Sequence, residues 1–128
     1  MKMLNIFSFA IIICLTTTCR STVITSLDAD LFEKTLQETS NPQLVDVRTL
    51  KEYAEGHLYG AILMDIREDT FKLLIQKLDK TRPVFVYCRS GKRSLDAAKI
   101  LEKNKFTLVY NLEGGILSWK EKGKTIEQ

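Results

Sequence analysis

An α/β fold, a single domain of about five mainly parallel strands with helices on both faces, is the architecture to which this sequence points. Short apolar runs alternate along the chain with longer segments of helical periodicity, and every parallel strand pair needs a helix-length crossover of that kind. At 128 residues and 45% hydrophobic content the chain can bury one compact core but hardly two. It contains no internal repeat and no low-complexity tract, and its two prolines are too few for a Pro-rich linker. One fold must therefore hold the function.

The elements follow in order. A short strand, Val23-Ile24-Thr25, leads into a helix from about Asp28 to Glu38 with Leu31, Phe32 and Leu36 inward and Asp28 as its N-cap. Pro42 precedes a second strand, Leu44-Val45-Asp46-Val47, and Thr49 with Glu52 forms a capping box for a short helix that stops at Gly56. Ala61 to Met64 reads as a third strand. Phe71, Leu74, Ile75 and Leu78 fall at i, i+3, i+4 and i+7, the stripe of an amphipathic helix. Pro83 opens a fourth strand, Val84-Phe85-Val86-Tyr87, as proline can at a strand start. A helix from about Lys92 to Lys103, with Leu95, Ala98 and Leu101 on one side, a fifth strand from Thr107 to Tyr110 and a last helix from about Ile116 to Lys122 complete the domain, which spans residues 22–125.

Residues 1–20 have a different character. Lys2 is the only charge between Met1 and Leu15, and an apolar run extends from Ile6 through Leu15. That run is shorter than the roughly 20 residues of a membrane span but suits a signal-peptide core of roughly 7 to 15. Leu15-Thr-Thr-Thr-Cys19 resembles a loose bacterial lipobox, with Thr18 where that pattern usually has Gly, Ala or Ser. The expectation is export, to the periplasm or to a membrane surface through a lipid on Cys19, with simple cleavage and an uncleaved anchor as alternatives. Of the three cysteines, Cys14 lies inside the apolar run and Cys19 at its edge, which leaves Cys88 alone in the folded part. A lone thiol in an oxidising compartment is a liability unless it reacts, although a buried structural cysteine is the plainer alternative. The net charge of +3 includes no Lys/Arg cluster long enough for a nucleic-acid stripe, so no nucleic-acid partner is expected.

The chemistry concentrates in Cys88-Arg89-Ser90-Gly91-Lys92-Arg93-Ser94, which joins the fourth strand to its helix. Ligands of parallel α/β folds gather at the carboxyl ends of the strands, and Cys88 sits at such an end. A helix N-terminus and nearby cations lower a thiol's pKa, so the nucleophilic thiolate becomes accessible. Inward-turned backbone N–H groups make an anion nest, and Gly91 supplies the freedom to close it. The plain alternative is a solvated basic turn after a buried cysteine.

Cys88-x-x-Gly91-x-Arg93 followed by Ser94 resembles the active-site loop of rhodanese domains. Leu44-Val45-Asp46-Val47-Arg48, Glu52-Tyr53, Gly56-His57, Gly60-Ala61 and Gly114-Gly115-Ile116 with Trp119 are similar to the family's remaining signatures, in the family's order. Tyr59 departs from the pattern, which usually has proline there. The resemblance implies a single rhodanese-like domain in which Cys88 takes a sulfane sulfur from a small sulfur-containing anion such as thiosulfate. It would hold that sulfur as a persulfide and pass it to a thiol or cyanide acceptor, with no cofactor and no metal. A monomer is expected. Arg93 and the loop N–H groups would bind the anion, and Arg89 and Lys92 would draw it to the pocket mouth.

Two other functions compete. Cysteine-dependent phosphatases use the same thiolate, nest and arginine, but their signature places five residues between Cys and Arg, whereas only Arg89 to Lys92 separate Cys88 from Arg93. The tighter loop favours sulfur. A sulfur carrier or partner-binding module would share the loop, and turnover with thiosulfate distinguishes it from an enzyme. His57 is the only histidine; a ring nitrogen satisfying backbone groups is favoured over a general base or a metal ligand. Asp46 and Arg48 are expected to pair and support the loop, and Trp119 to pack in the core.

Overall fold

The computed structural model describes residues 20–128, so the expected leader with Cys19 lies outside the described residues. Strands β1 (Val23–Leu27), β2 (Gln43–Asp46), β3 (Ile62–Leu63), β4 (Val84–Tyr87) and β5 (Leu108–Leu112) form one sheet in the order β1-β5-β4-β2-β3. All four neighbouring pairs are parallel. Helices α1 (Ala29–Glu38), α2 (Leu50–Glu55), α3 (Phe71–Leu74), α4 (Lys92–Lys103) and α5 (Gly115–Glu121) connect and flank them.

The pleat of β4 divides the core. Val84, Val86 and Cys88 pack with Phe71 and Ile75 and with Ala97, Ala98 and Leu101 of α4. Phe85 and Tyr87 point the opposite way, onto Phe32 of α1 and Ile116 and Trp119 of α5, with Tyr53 of α2 at the margin. A strand buried on both faces must be apolar throughout, which is why Val84-Phe85-Val86-Tyr87 reads as a continuous run. Because β4 is the middle strand of the five, Cys88 emerges near the centre of the carboxyl rim.

Local signals fix most boundaries. Asp28 accepts from the Leu31 N–H at 2.9 Å, and the Thr49/Glu52 capping box is present in both directions. Four expectations need correction. The stripe from Phe71 to Leu78 is one α turn followed by a 3-10 turn at Ile75–Lys77, because the chain must turn back at Asp79 to enter β4 and is held there by the Gln43 side chain. The third strand is only Ile62–Leu63, the length over which it pairs with β2. β1 and β5 run on to Leu27 and Leu112 because each completes the other's ladder. Leu31 and Leu95 are 47% and 39% exposed: Ala29 and Phe32 supply the buried face of α1, and Ser94, Ala97, Ala98 and Leu101 that of α4.

Candidate active site

Cys88 follows β4 directly, and its thiol is buried, with 1% of the residue exposed. Sγ accepts from the Gly91 N–H at 3.0 Å and lies 3.4 Å from Ser94 Oγ, whose single proton is shared with the Gly91 carbonyl at 3.0 Å. Burial pushes the thiol up. Hydrogen bonds from the Ser94 hydroxyl and from the N–H groups of Ser94, Gly91 and Ser90 outweigh that cost and hold it below its usual value. Gly91 turns the loop at φ 104°, the left-handed region that side chains rarely adopt, and starts α4 from there.

The outer side of the loop is clamped by α5. Two N–H groups of its first turn, which a helix leaves without internal partners, bind the loop carbonyls: Ile116 N to Cys88 O at 2.9 Å and Leu117 N to Arg89 O at 3.2 Å. This contact is possible only with glycine at 115, since a Cβ there would stand 2.3 Å from the Arg89 oxygen.

Of the loop cations, Arg93 has a different partner from the one expected. Its two terminal nitrogens bind the two carboxylate oxygens of Glu52, each at 2.8 Å, so the guanidinium ties α4 to α2. Its hydrogen bonds hold the Glu52 carboxyl at about 2, against the cost of burial and with help from Thr49. Arg93 also lies close enough to Cys88 for their charges to interact. Arg89, Ser90 and Lys92 are exposed, and neither Arg89 nor Lys92 has an ion-pair partner among the described residues. Arg89 and Lys120 line one small cleft of about 110 Å³ between α2 and α5, together with Arg48 and the carboxylates Glu52 and Glu55.

Behind the loop, Asp46 and Arg48 form the expected pair at 2.7 Å, fully inside the protein. Asp46 also accepts the Arg48 N–H at 2.9 Å and the Tyr87 hydroxyl at 2.6 Å, while Arg48 Nη2 reaches the Gly56 carbonyl at 2.6 Å. Burial and the Asp46 carboxylate push the Tyr87 phenol far up, so it stays neutral and keeps donating. Burial works against the Arg48 charge, but Asp46 more than restores it. This network joins the ends of β2 and β4 immediately before Cys88. His57 is directed elsewhere: Nδ1 meets the Tyr53 carbonyl at 2.9 Å, Nε2 meets Glu127 at 3.2 Å, and the ring stacks on Tyr53 at 3.8 Å. It braces the turn after α2 against the chain's end and makes no hydrogen bond to the loop.

Sequence reasoning missed Lys120 and the roles of Glu52 and Tyr87 in the site. Glu52 was legible as a cap and as part of the Glu52-Tyr53 signature but not as the partner of Arg93, and Tyr87 only as a strand residue, because their partners lie 41 positions away in the chain. Nothing local marks Lys120.

Residues 28–122 match the family described as the rhodanese-like domain. A sulfurtransferase of Allochromatium vinosum is 32% identical over 104 residues, covering 81% of this chain and 95% of that protein. A thiosulfate sulfurtransferase of Shewanella oneidensis is 33% identical over 86 residues, covering 67% and 83% of the two chains. The crystal structure of a rhodanese-like domain protein from Staphylococcus aureus superposes with a TM-score of 0.69 at 32% identity, over 81% of this chain and 99% of the other.

Proposed function

Since this chain belongs to the rhodanese-like domain family, we propose that it is a sulfurtransferase that carries sulfane sulfur from thiosulfate or a similar anion to a thiol through a persulfide on Cys88. The observation that carries this reading is the set of hydrogen bonds converging on Cys88 Sγ at the carboxyl rim of the sheet. They favour the thiolate, which is the attacking species.

The donor anion is drawn in by Arg89, Lys92 and Lys120. Cys88 Sγ attacks its outer sulfur, a new S–S bond forms, and the donor's own S–S bond breaks with the electron pair leaving on sulfite. The loop N–H groups face the sulfur that gains or loses charge, so they act in both halves of the cycle. A thiol then attacks the outer sulfur of the persulfide and Cys88 leaves as the thiolate. The four-residue spacing between Cys88 and Arg93 is one residue shorter than the signature of cysteine-dependent phosphatases, which favours sulfur over phosphate. Asp46, Arg48 and Tyr87 hold the strand ends in register and take no part in bond exchange. The protein is also proposed to be exported, with Cys19 as its lipidated residue, on the strength of the apolar run that precedes it.

Mass spectrometry tests the reaction. After incubation with thiosulfate the protein should gain about 32 Da on the Cys88 peptide, removable by cyanide or dithiothreitol, and Cys88→Ser should fold yet gain nothing. No mass gain on the wild-type protein would falsify the reading. Charging without turnover would assign a carrier role instead.

A further inference from the structure

All the strands run the same way, so the molecule has two distinct ends, and Cys88 marks only one of them. The other end, where the strands begin, is basic. The segments that lead into β1, β4 and β5 there carry Arg20, Lys77, Lys80, Arg82, Lys103 and Lys105, against the carboxylates Glu38, Asp79 and Glu102. Asp79 is spent on Arg82, at 3.8 Å. The other cations of this end have no ion-pair partner among the described residues. Hydrogen bonds tie the three segments together: the Thr22 hydroxyl donates to the Phe106 carbonyl, the Val23 N–H to the Thr107 carbonyl at 3.0 Å, and the Thr107 N–H to the Lys80 carbonyl at 3.1 Å. At the carboxyl rim, by contrast, exposed Arg67, Arg89 and Lys92 are interleaved with exposed Glu68, Asp69 and Glu113.

Lys105 is the member of this group that folding does not explain. The Lys105 N–H binds the Glu102 carbonyl at 3.0 Å and the Phe106 N–H binds the Leu101 carbonyl at 3.2 Å, the helix stop whose left-handed residue is most often glycine. Lys105 takes that position at φ 68°. A side chain there costs stability that glycine would not. The helix dipole accounts for a lysine at 103, in the last turn of α4, and does not need a second one in a strained conformation. What the strained residue adds is one more exposed charge at the basic end.

The chain that enters this end indicates what the charge meets. The apolar run from Ile6 to Leu15 and then Cys19 precede β1, and only Arg20, Ser21 and Thr22 separate Cys19 from Val23. Four residues reach at most roughly 14 Å. Building on the proposed lipid at Cys19, and independently of the sulfur chemistry, we infer that the amino end of the sheet lies on an anionic lipid surface, with the Cys88 loop facing away from it. Each lysine or arginine held near such a surface strengthens association about fivefold. Screening confines that attraction to about 8 Å at the ionic strength of a cell, so the patch orients an anchored domain rather than holding a free one. Donor and acceptor then approach Cys88 from the side away from the lipid.

Amine acylation of the full chain, read by mass at each lysine, tests the orientation. The chain is placed on vesicles of phosphatidylcholine alone and of phosphatidylcholine with about 30% phosphatidylglycerol, at about 20 mM and about 500 mM salt. At low salt Lys103 and Lys105 should react at least about threefold more slowly on the anionic vesicles than on the neutral ones, and high salt should remove the difference. Lys92 and Lys120, at the other end, should react equally on both. Lys105→Gly should not lower the urea midpoint, yet should weaken the protection of Lys103; undiminished protection would make Lys105 irrelevant to the surface. Equal reactivity on the two vesicle types, or protection of Lys92 and Lys120 instead, overturns the oriented surface, and the anchor stands if neutral vesicles still retain the chain. Protection on anionic vesicles without retention by neutral ones overturns the anchor and keeps the surface.

Discussion

The Arg93–Glu52 pair alters what each of its members is expected to do. A guanidinium spent on a carboxylate is not a free anion binder; it cancels a negative charge that would otherwise face an anionic donor. Arg93→Ala should therefore slow persulfide formation, by less than the roughly 10²-fold that loss of a direct oxyanion donor costs, and Glu52→Gln on that background should recover part of the loss, since the uncompensated charge is then gone. Stopped-flow charging with thiosulfate across the four proteins of this cycle measures both effects. The same pair predicts a pH dependence of stability. Glu52 is depressed from 4.5 to about 2 in the folded state, so between those values the unfolded chain binds the extra proton. The stabilisation is fully present above pH 4.5 and is lost as pH falls through about 2. Urea unfolding of Glu52→Gln should lack that component of acid destabilisation, whereas an unchanged pH profile would show that the pair contributes nothing.

Among the elements, α5 is the one whose placement the site depends on most. Its first turn satisfies the carbonyls of Cys88 and Arg89, which would otherwise face inward without partners, and in doing so it holds the loop N–H groups turned toward Sγ. Gly115 sits at φ 61° with the loop backbone against its Cα. Gly115→Ala should cost about 1 to 3 kcal/mol through forced displacement, with added strain from the backbone conformation. It should also impair charging far more than stability alone explains, because the displaced partner is the catalytic loop. Denaturation midpoints and the +32 Da assay, run on the same preparation below the unfolding transition, separate the two consequences.

The molecule as a whole is closed by its last residues, beyond the segment that matches the family at 28–122. Ile126 packs on the α1/α5 core, the Trp119 indole donates to the Thr125 carbonyl at 2.9 Å, and Glu127 pairs with His57 through both backbone and side chain. These contacts hold the turn that presents the Gly56 carbonyl to Arg48. Ending the chain at Gly123 should lower stability by about 1 to 3 kcal/mol, seen as a shifted urea midpoint with little change in slope. At the other end, the proposed lipid anchor predicts that Cys19→Ala moves the protein from the membrane fraction to the soluble fraction in cell fractionation. Full-length wild-type protein in the cytoplasm would contradict it.

Much of this protein is written locally and is read directly from residues. The apolar runs, the Asp28 and Thr49 caps, the helix-length crossovers and the Cys88–Ser94 loop lead to a parallel α/β domain with a nucleophile at the end of a central strand, because each depends on neighbours within a few positions. The Asp46–Arg48 pair was legible for the same reason, its members being two residues apart. What could not be read is whatever pairs residues from different crossovers. Leu31 and Leu95 fit a helical stripe, yet the angle at which each helix lies on the sheet left them at the surface. Arg93 looked like an anion binder until α2 brought Glu52 to it, and the clamp of α5 on the loop exists only once five strands are in register. Periodicity records which side of an element is apolar; the rotation and proximity of elements come from close packing of the assembled layers, and no short stretch of sequence encodes that.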